Sequence, residues 1–329
     1  MHVIGVDVSK AKLDCAVIVQ VEPMKRRQKV VSNDPQGWAK LLEWACQNAG
    51  CEPGELKLVL EPTSSYHEGV AHYAHGRGAR VWIINPKQMR DFAKGLGVRS
   101  KTDALDCSVL AQFGLKAQAM DWMPAPLPLR ELQSLLRRLE DLQQTLQAEL
   151  NRVEAAQARQ APALVMESLQ SSVSFLEQQI KRLNAQIDQH IDGHPQLKAD
   201  YELLRSIPAV GPSSARVMLV KLRGRVFDTA AQASGFLGLR PVHWDSGSSV
   251  HKLARLGPHG DRLARRILYM AALTAKRNNP DARALYERLV AAGKRPMLAL
   301  CAVMRKLVHI CFGVLKHQRP YVPQIAASA

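Results

Sequence analysis

The N-terminal third of the chain alternates two hydrophobic rhythms. Residues 3–8 (VIGVDV), 15–19 (CAVIV) and 28–32 (QKVVS) are apolar runs of strand length, and the first two are close enough to pair as a hairpin. A helical spacing then covers 35–47, followed by a strand at 56–61 (LKLVLE), a helix opening near Tyr66 and a strand at 80–85 (RVWIIN). Pro86 opens a further helix at its first position, where the missing N–H costs nothing. Three antiparallel strands followed by alternating helix and strand predict a mixed α/β sheet in residues 1–124.

Prolines at 123–129 (MPAPLPL) mark a linker. Beyond it, Leu132, Leu135, Leu139, Leu142, Leu146, Leu150 and Val153 step by three or four, and after a break at 159–162 so do Leu169, Val173, Leu176, Ile180, Leu183 and Ile187. These are heptad seams, predicting two helices of about 40 Å each and a coiled-coil segment over 125–195. A seam does not distinguish a hairpin folded on itself from a pairing between subunits. Residues 196–329 read as helical and basic, with core-like Ala, Leu and Met around 296–315. Within them, SIPAVGPSSARVMLVKL (206–222) resembles a helix-hairpin-helix, whose backbone N–H groups hold phosphate, but Ala209-Val210-Gly211 replaces the usual Gly-x-Gly. A purely structural turn fits it equally well.

Composition excludes a disordered chain: 329 residues at 47% hydrophobic content can build two or three cores. The net charge of +16 points to a polyanionic partner, nucleic acid first. Its distribution is uneven, +3 over residues 1–124, −2 over 125–200 and +15 over 201–329. The last segment is therefore the one expected to grip phosphates. Six cysteines without CxxC spacing read as reduced core residues. With no basic leader and no apolar run of about eighteen residues, the expected place is the cytoplasm, on the nucleoid, with no membrane partner.

Four acids stand out against this background. Asp7 closes the first strand and Glu61 a later one, and Asp103 and Asp106 in KTDALDCSVLAQ share a helix face at i,i+3. Neighbouring strands would bring the first two together. Each acid also has an ordinary use: Asp103 as a helix cap, Asp106 against the helix dipole, Asp7 in a turn. An unpaired charge at the end of an apolar strand is costly, however, and four carboxylates suit Mg²⁺ or Mn²⁺ in metal-assisted phosphoryl transfer.

The segments GVDVSKAKLD, LEPTSSY, NPKQMRDFAKGLGVRSKTDALD, SIPAVGP and SGSSV with the Arg-rich stretch after it resemble, in order, the Piv-type DNA invertases and bridge-RNA-guided transposases of the insertion-sequence-110 family. The resemblance runs over nearly the whole chain. It implies a RuvC-like (RNase H-like) α/β domain at 1–124, a coiled-coil middle at 125–195, and a mostly helical transposase domain at 196–329. It places the metal site on Asp7, Glu61, Asp103 and Asp106 and a catalytic serine in the SGSS loop, with Ser246 the first choice and Ser248 and Ser249 beside it. Without the resemblance, DSGSS passes for a flexible linker. Lys252, Arg255, Arg262, Arg265 and Arg266 are expected on the helix after the loop as phosphate contacts, with Trp244 a half-buried core residue or a base-stacking one. The implied partners are donor and target DNA, a structured noncoding guide RNA, and further copies of the chain as a dimer or tetramer. Two other functions fit the residues: a junction nuclease in which water attacks, and a non-catalytic nucleic-acid-binding protein.

Overall fold

The computed structural model describes residues 2–97, 103–246, 250–257 and 260–324, apart from the side chains of 103–105, 242–246 and 250–255. The chain divides into two compact units, Met1–Pro124 and Ala125–Ala329. In the first, β1 (His2–Val8), β2 (Lys12–Gln20) and β3 (Lys25–Ser32) form an antiparallel meander. Strands β4 (Leu56–Leu60) and β5 (Arg80–Ile83) run parallel to β1 on its other side, giving the order β3-β2-β1-β4-β5. This is the RuvC-like (RNase H-like) arrangement.

Helices cover both faces of this sheet. Helices α1 (Pro35–Ala49) and α2 (Tyr66–Gly76) pack on Ile4, Val6, Leu13, Val17, Leu58 and Leu60, while α3 (Pro86–Gly95) and α4 (Asp103–Lys116) pack on Val3, Val59 and Trp82. Burial on two faces explains why β1 and β4 read as continuous apolar runs. The sheet edge explains why β3 is longer than its apolar run. Its hairpin with β2 extends to Lys25, Arg26 and Arg27, which are exposed, and charged side chains suit an edge strand.

Helix α4 lies close on β1. A Cβ placed on Gly5 would lie 2.0 Å from the Cys107 carbonyl oxygen and 2.4 Å from the Ala111 nitrogen, so the helix rests on bare strand backbone. At the other end of the helix, a Cβ on Gly114 would meet Val3 and Val59 at 2.5 and 2.6 Å. Lys57, whose ammonium lies 4.0 Å from the Trp82 ring centroid, donates to the Gly114 carbonyl at 3.1 Å.

In the second unit, α5 (Leu127–Ala158) and α6 (Ala163–Asp192) form an antiparallel hairpin, so the two heptad seams close on each other within one chain. Leu132, Leu139, Leu142, Leu183 and Ile187 join a core that continues through α7 (Pro195–Arg205), α8 (Pro212–Arg223), α9 (Ala230–Phe236), α10 (Arg262–Asn278), α11 (Pro280–Ala291) and α12 (Pro296–His317). Toward the far end of the hairpin, Leu150, Leu164, Val165 and Phe175 are exposed. Helix α12 is long and apolar enough to cross a membrane, and it buries Val303, Leu307 and Cys311 as a core helix of this unit. Polar ties cross the same core: Arg216 of α8 donates to Asn184 and Asp188 of α6, and Arg223 donates to both oxygens of the buried Asp200 at 2.7 and 2.6 Å. Between α7 and α8, Ala209 holds φ +76, a left-handed conformation that favours glycine.

Of DSGSS, Asp245 and Ser246 belong to a strand, while 247–249 lie outside the described residues. Residues Pro241–Ser246 form β6 and pair antiparallel with β7, Val250–Leu256, in a two-stranded hairpin. Lys252 and Arg255 therefore lie on a strand, and of the five basic residues only Arg262, Arg265 and Arg266 are on the following helix. The three-residue spacing of Lys252 and Arg255 imitates a helix face, but backbone pairing with β6 satisfies this segment instead.

Gly5→Ala is expected to lower stability by about 1–3 kcal/mol through overpacking against backbone. Gly313→Ala, in α12 with nothing within 4 Å of the new methyl, is expected to raise stability by about 0.5–1 kcal/mol. Denaturant unfolding of the two variants measures the contrast.

Candidate metal centre and nucleic-acid surface

The centre is set by strand register. Val6 pairs with Leu60 across the parallel β1 and β4, so the next positions, Asp7 and Glu61, stand side by side where the two strands end. Alternation along the strands puts Asp7 on the face of Val3 and Gly5, and Glu61 on the face of Lys57 and Val59. Both acids thus belong to the face that α4 covers. Gly114 of that helix lies over Val3 and Val59, and Cys107 and Ala111 lie over Gly5, so α4 runs antiparallel to β1. Its first turn, with Asp103 and Asp106, consequently arrives at the end of the sheet that holds Asp7 and Glu61. Asp7, Glu61 and Asp106 are half-buried, and the side chain of Asp103 lies outside the described residues.

A fifth carboxylate, missed in the sequence, joins this end. Asp14 of β2 is the register partner of Asp7, on the same face, and accepts an ion pair from Lys12 at 3.0 Å. The signal was the Leu-Asp-Cys alternation of KLDCAV, which puts Asp14 on the face opposite Leu13 and Cys15. Starting the strand at Cys15 left it out. The acids act on their surroundings: burial, together with the negative charges of Asp14 and Asp7, pushes the Cys107 thiol up to about 11 against hydrogen bonds from Ser108 and Gln28. Gln28 of β3 also donates to Ser108 at 3.0 Å, tying the sheet to the start of α4.

The described members, Asp7, Asp14, Glu61 and Asp106, offer half-buried carboxylate oxygens. Such a set fits a hard divalent cation with oxygen preference.

In the second unit, Ser246 is the last residue of β6, paired with Val250, while Ser248 and Ser249 lie outside the described residues. His251 pairs with Asp245 one rung away. The side chains of Ser246, Trp244, Lys252 and Arg255 are likewise outside the description. On α10, Arg262 and Arg266 are exposed, Arg266 lying 3.6 Å from Glu140, whereas Arg265 is half-buried and donates to the Gly257 carbonyl at 2.9 Å. The stripe therefore has two outward members and one that props the end of the β6–β7 hairpin. Asp261 starts this helix: its carboxylate accepts from the Ala264 N–H at 2.8 Å and pairs with Lys221 of α8 at 2.6 Å.

Residues 4–159 match the profile of DEDD-type IS110 transposases, and residues 201–287 match the profile described as transposase of the IS116/IS110/IS902 family. The pilin gene-inverting protein of Moraxella bovis is 30% identical over 98% of this chain and 98% of its own. The chain belongs to the IS110 family of transposases. A 43.6 kDa protein of insertion element IS110 from Streptomyces coelicolor is 31% identical to this transposase over 50% of its chain and 40% of the relative's. Solved structures of Thermus thermophilus RuvC, one with a Holliday junction substrate, match 37% of the transposase at 18% and 17% identity, with TM-scores of 0.27 and 0.28. The first profile spans Asp7, Glu61, Asp103 and Asp106, and the second spans Ser246 and the arginines of α10.

Asp261→Ala is expected to destabilise the transposase by about 1–2 kcal/mol, and Asp261→Asn, which keeps a cap, by less. Burial alone would raise this carboxyl, but the Ala264 N–H and Lys221 outweigh it and hold it below its usual 3.8. Its contribution is therefore complete at neutral pH and lost as pH falls through the depressed value. Unfolding curves of wild type and Asp261→Asn across the acid range should converge below 3.8.

Proposed function

We propose that this transposase is a DNA recombinase that uses a divalent-ion centre on Asp7, Glu61, Asp103 and Asp106 and a serine nucleophile, Ser246. The observation that carries the reading is the convergence of β1, β4 and the start of α4 at one end of a single layer. Mg²⁺, or Mn²⁺ in its place, is the ion that suits such carboxylates, and when bound it supplies positive charge to stabilise phosphate oxygens during transfer.

The remaining chemistry belongs to the chain. Ser246 Oγ attacks the phosphorus of a DNA phosphodiester and gives up its proton. A new Oγ–P bond forms, the P–O bond to one sugar breaks, and the departing sugar oxygen takes up a proton. The phosphoserine preserves the energy of the broken bond, so a sugar hydroxyl from the exchanged strand can attack it and restore Ser246. A position at the end of β6 anchors the nucleophile's backbone by strand pairing. Strand exchange needs two DNAs held together, hence a dimer or tetramer.

Arg262 and Arg266 serve as phosphate contacts, positioning the nucleic acid without reading bases. The excess of +15 over residues 201–329 supports a polyanionic partner. In this reading, donor and target DNA are selected by a structured noncoding guide RNA that pairs with both.

Ser246→Ala is expected to abolish the denaturant-resistant protein–DNA adduct, with Ser248→Ala and Ser249→Ala retaining it. Cleavage that survives in Ser246→Ala would instead mean that water attacks. Asp7→Asn and Asp106→Asn are each expected to lower cleavage by at least about 100-fold, and unchanged activity in both would leave a binding protein only. RNA copurified with the transposase and sequenced should be a discrete species.

Arg262→Ala and Arg266→Ala should each weaken nucleic-acid binding alike on all sequences and reduce the salt slope by about 1. Arg265→Ala should mainly lower the unfolding midpoint. Filter binding over a salt series, with thermal unfolding alongside, separates the two outcomes.

A further inference from the structure

Away from the carboxylate centre, three potential ligands meet at the base of the α5–α6 hairpin. One donor atom from each of Glu131 on α5, His190 in the last turn of α6 and His194 before α7 lies within 4.8 Å of those of the other two. The His190 and His194 rings have centroids 4.5 Å apart, and His190 Nδ1 is 4.0 Å from a Glu131 carboxylate oxygen.

The hydrogen bonds of the two imidazoles fix their tautomers. His190 Nε2 is 2.7 Å from the Pro128 carbonyl oxygen, and His194 Nδ1 is 2.7 Å from the His190 carbonyl oxygen. A carbonyl oxygen only accepts, so both of these nitrogens carry the proton. In the neutral rings the lone pairs then sit on His190 Nδ1 and His194 Nε2. A main-chain carbonyl holding the N–H of each ring is the support that metal-binding histidines usually have. We infer that Glu131, His190 and His194 form a second metal site, for a Zn²⁺-class ion, that clips the start of α5 to the end of α6 and the cap of α7.

The choice of ion follows from the donors. Two imidazoles and one carboxylate favour Zn²⁺ or Co²⁺ over Mg²⁺, which prefers an all-oxygen shell. Ligands 2.0–2.1 Å from a tetrahedral ion stand about 3.4 Å apart. The His190–Glu131 pair therefore has to close by less than about 1 Å from its 4.0 Å. The Glu131 side chain is 51% exposed and free to swing. The negative end of the α6 dipole adds a favourable field for a cation. Water completes the fourth position. This inference is independent of the recombination chemistry proposed above.

The test uses the full-length protein, stripped with chelator and kept in excess Mg²⁺ to saturate the carboxylate centre. Co²⁺ titration followed by visible absorption is expected to give one equivalent of a tetrahedral-type site, displaced by Zn²⁺. Zn²⁺ at about 100 times its Kd should raise the thermal midpoint of the second unit by about 5–10 °C. His194→Asn, His190→Asn and Glu131→Gln should each weaken Co²⁺ binding by about 100-fold or more, with Asp7→Asn binding as wild type. Because His190→Asn also loses the bond to Pro128, Glu131→Gln is the variant that leaves the metal-free midpoint unchanged. Absence of a bound equivalent in wild type overturns the inference. So does a Co²⁺ band that survives all three substitutions or disappears in Asp7→Asn, since the ion would then be in the carboxylate centre.

Discussion

The first unit depends on the contact between α4 and the bare backbone of Gly5. A helix normally rides on side chains, and here one strand position has none. That lowers α4 onto β1 and sets where its first turn ends relative to the strand ends. Asp106 and Asp103 are carried by the helix, Asp7 and Glu61 by the sheet, and their convergence requires the two supports to be in register. Lys57 at Gly114 and Gln28 at Ser108 pin the same helix at points along its length. Like charges brought to one end of a sheet repel, and Lys12 offsets part of this at Asp14.

Much of this was legible in the sequence because strand ends are marked by chemistry. An acid that follows an uninterrupted apolar run, as Asp7 and Glu61 do, announces the end of a doubly buried strand. Which strands are neighbours is not written locally, and the pairing of Val6 with Leu60 came from tertiary structure. Asp14 is hidden for a related reason: β2 begins at Lys12, three residues before the apolar run that marks it in the sequence, so the acid lies on a part of the strand without an apolar signature. The β6–β7 hairpin was hidden by composition. DSGSS is polar and flexible in isolation, and the ladder that orders its flanks is a pairing between segments, not a property of either one. The same pairing moved Lys252 and Arg255 from a helix to a strand.

The second unit solves a different problem, how to keep a highly charged segment folded. Its net +15 over residues 201–329 is carried around a continuous apolar core that also takes in the base of the α5–α6 hairpin. Two cations that enter the interior are matched there, Arg223 by Asp200 and Arg216 by Asp188 and Asn184. Asp261 does two such tasks, capping the helix that carries the outward arginines and anchoring it to α8 through Lys221. Few acids remain in this segment, and several of them are committed to structure.

The hairpin of α5 and α6 has a mechanical consequence. With 32 residues in α5, it reaches about 48 Å from base to tip as a stiff paired rod. Rotation of such a lever by about 5° at its base carries the tip through about 4 Å, roughly the width of a side-chain contact. The packing of Leu132, Ile187 and their neighbours at the fulcrum therefore controls the position of the far end, where Leu150 and Phe175 face solvent, with a gain that no local contact at the tip supplies.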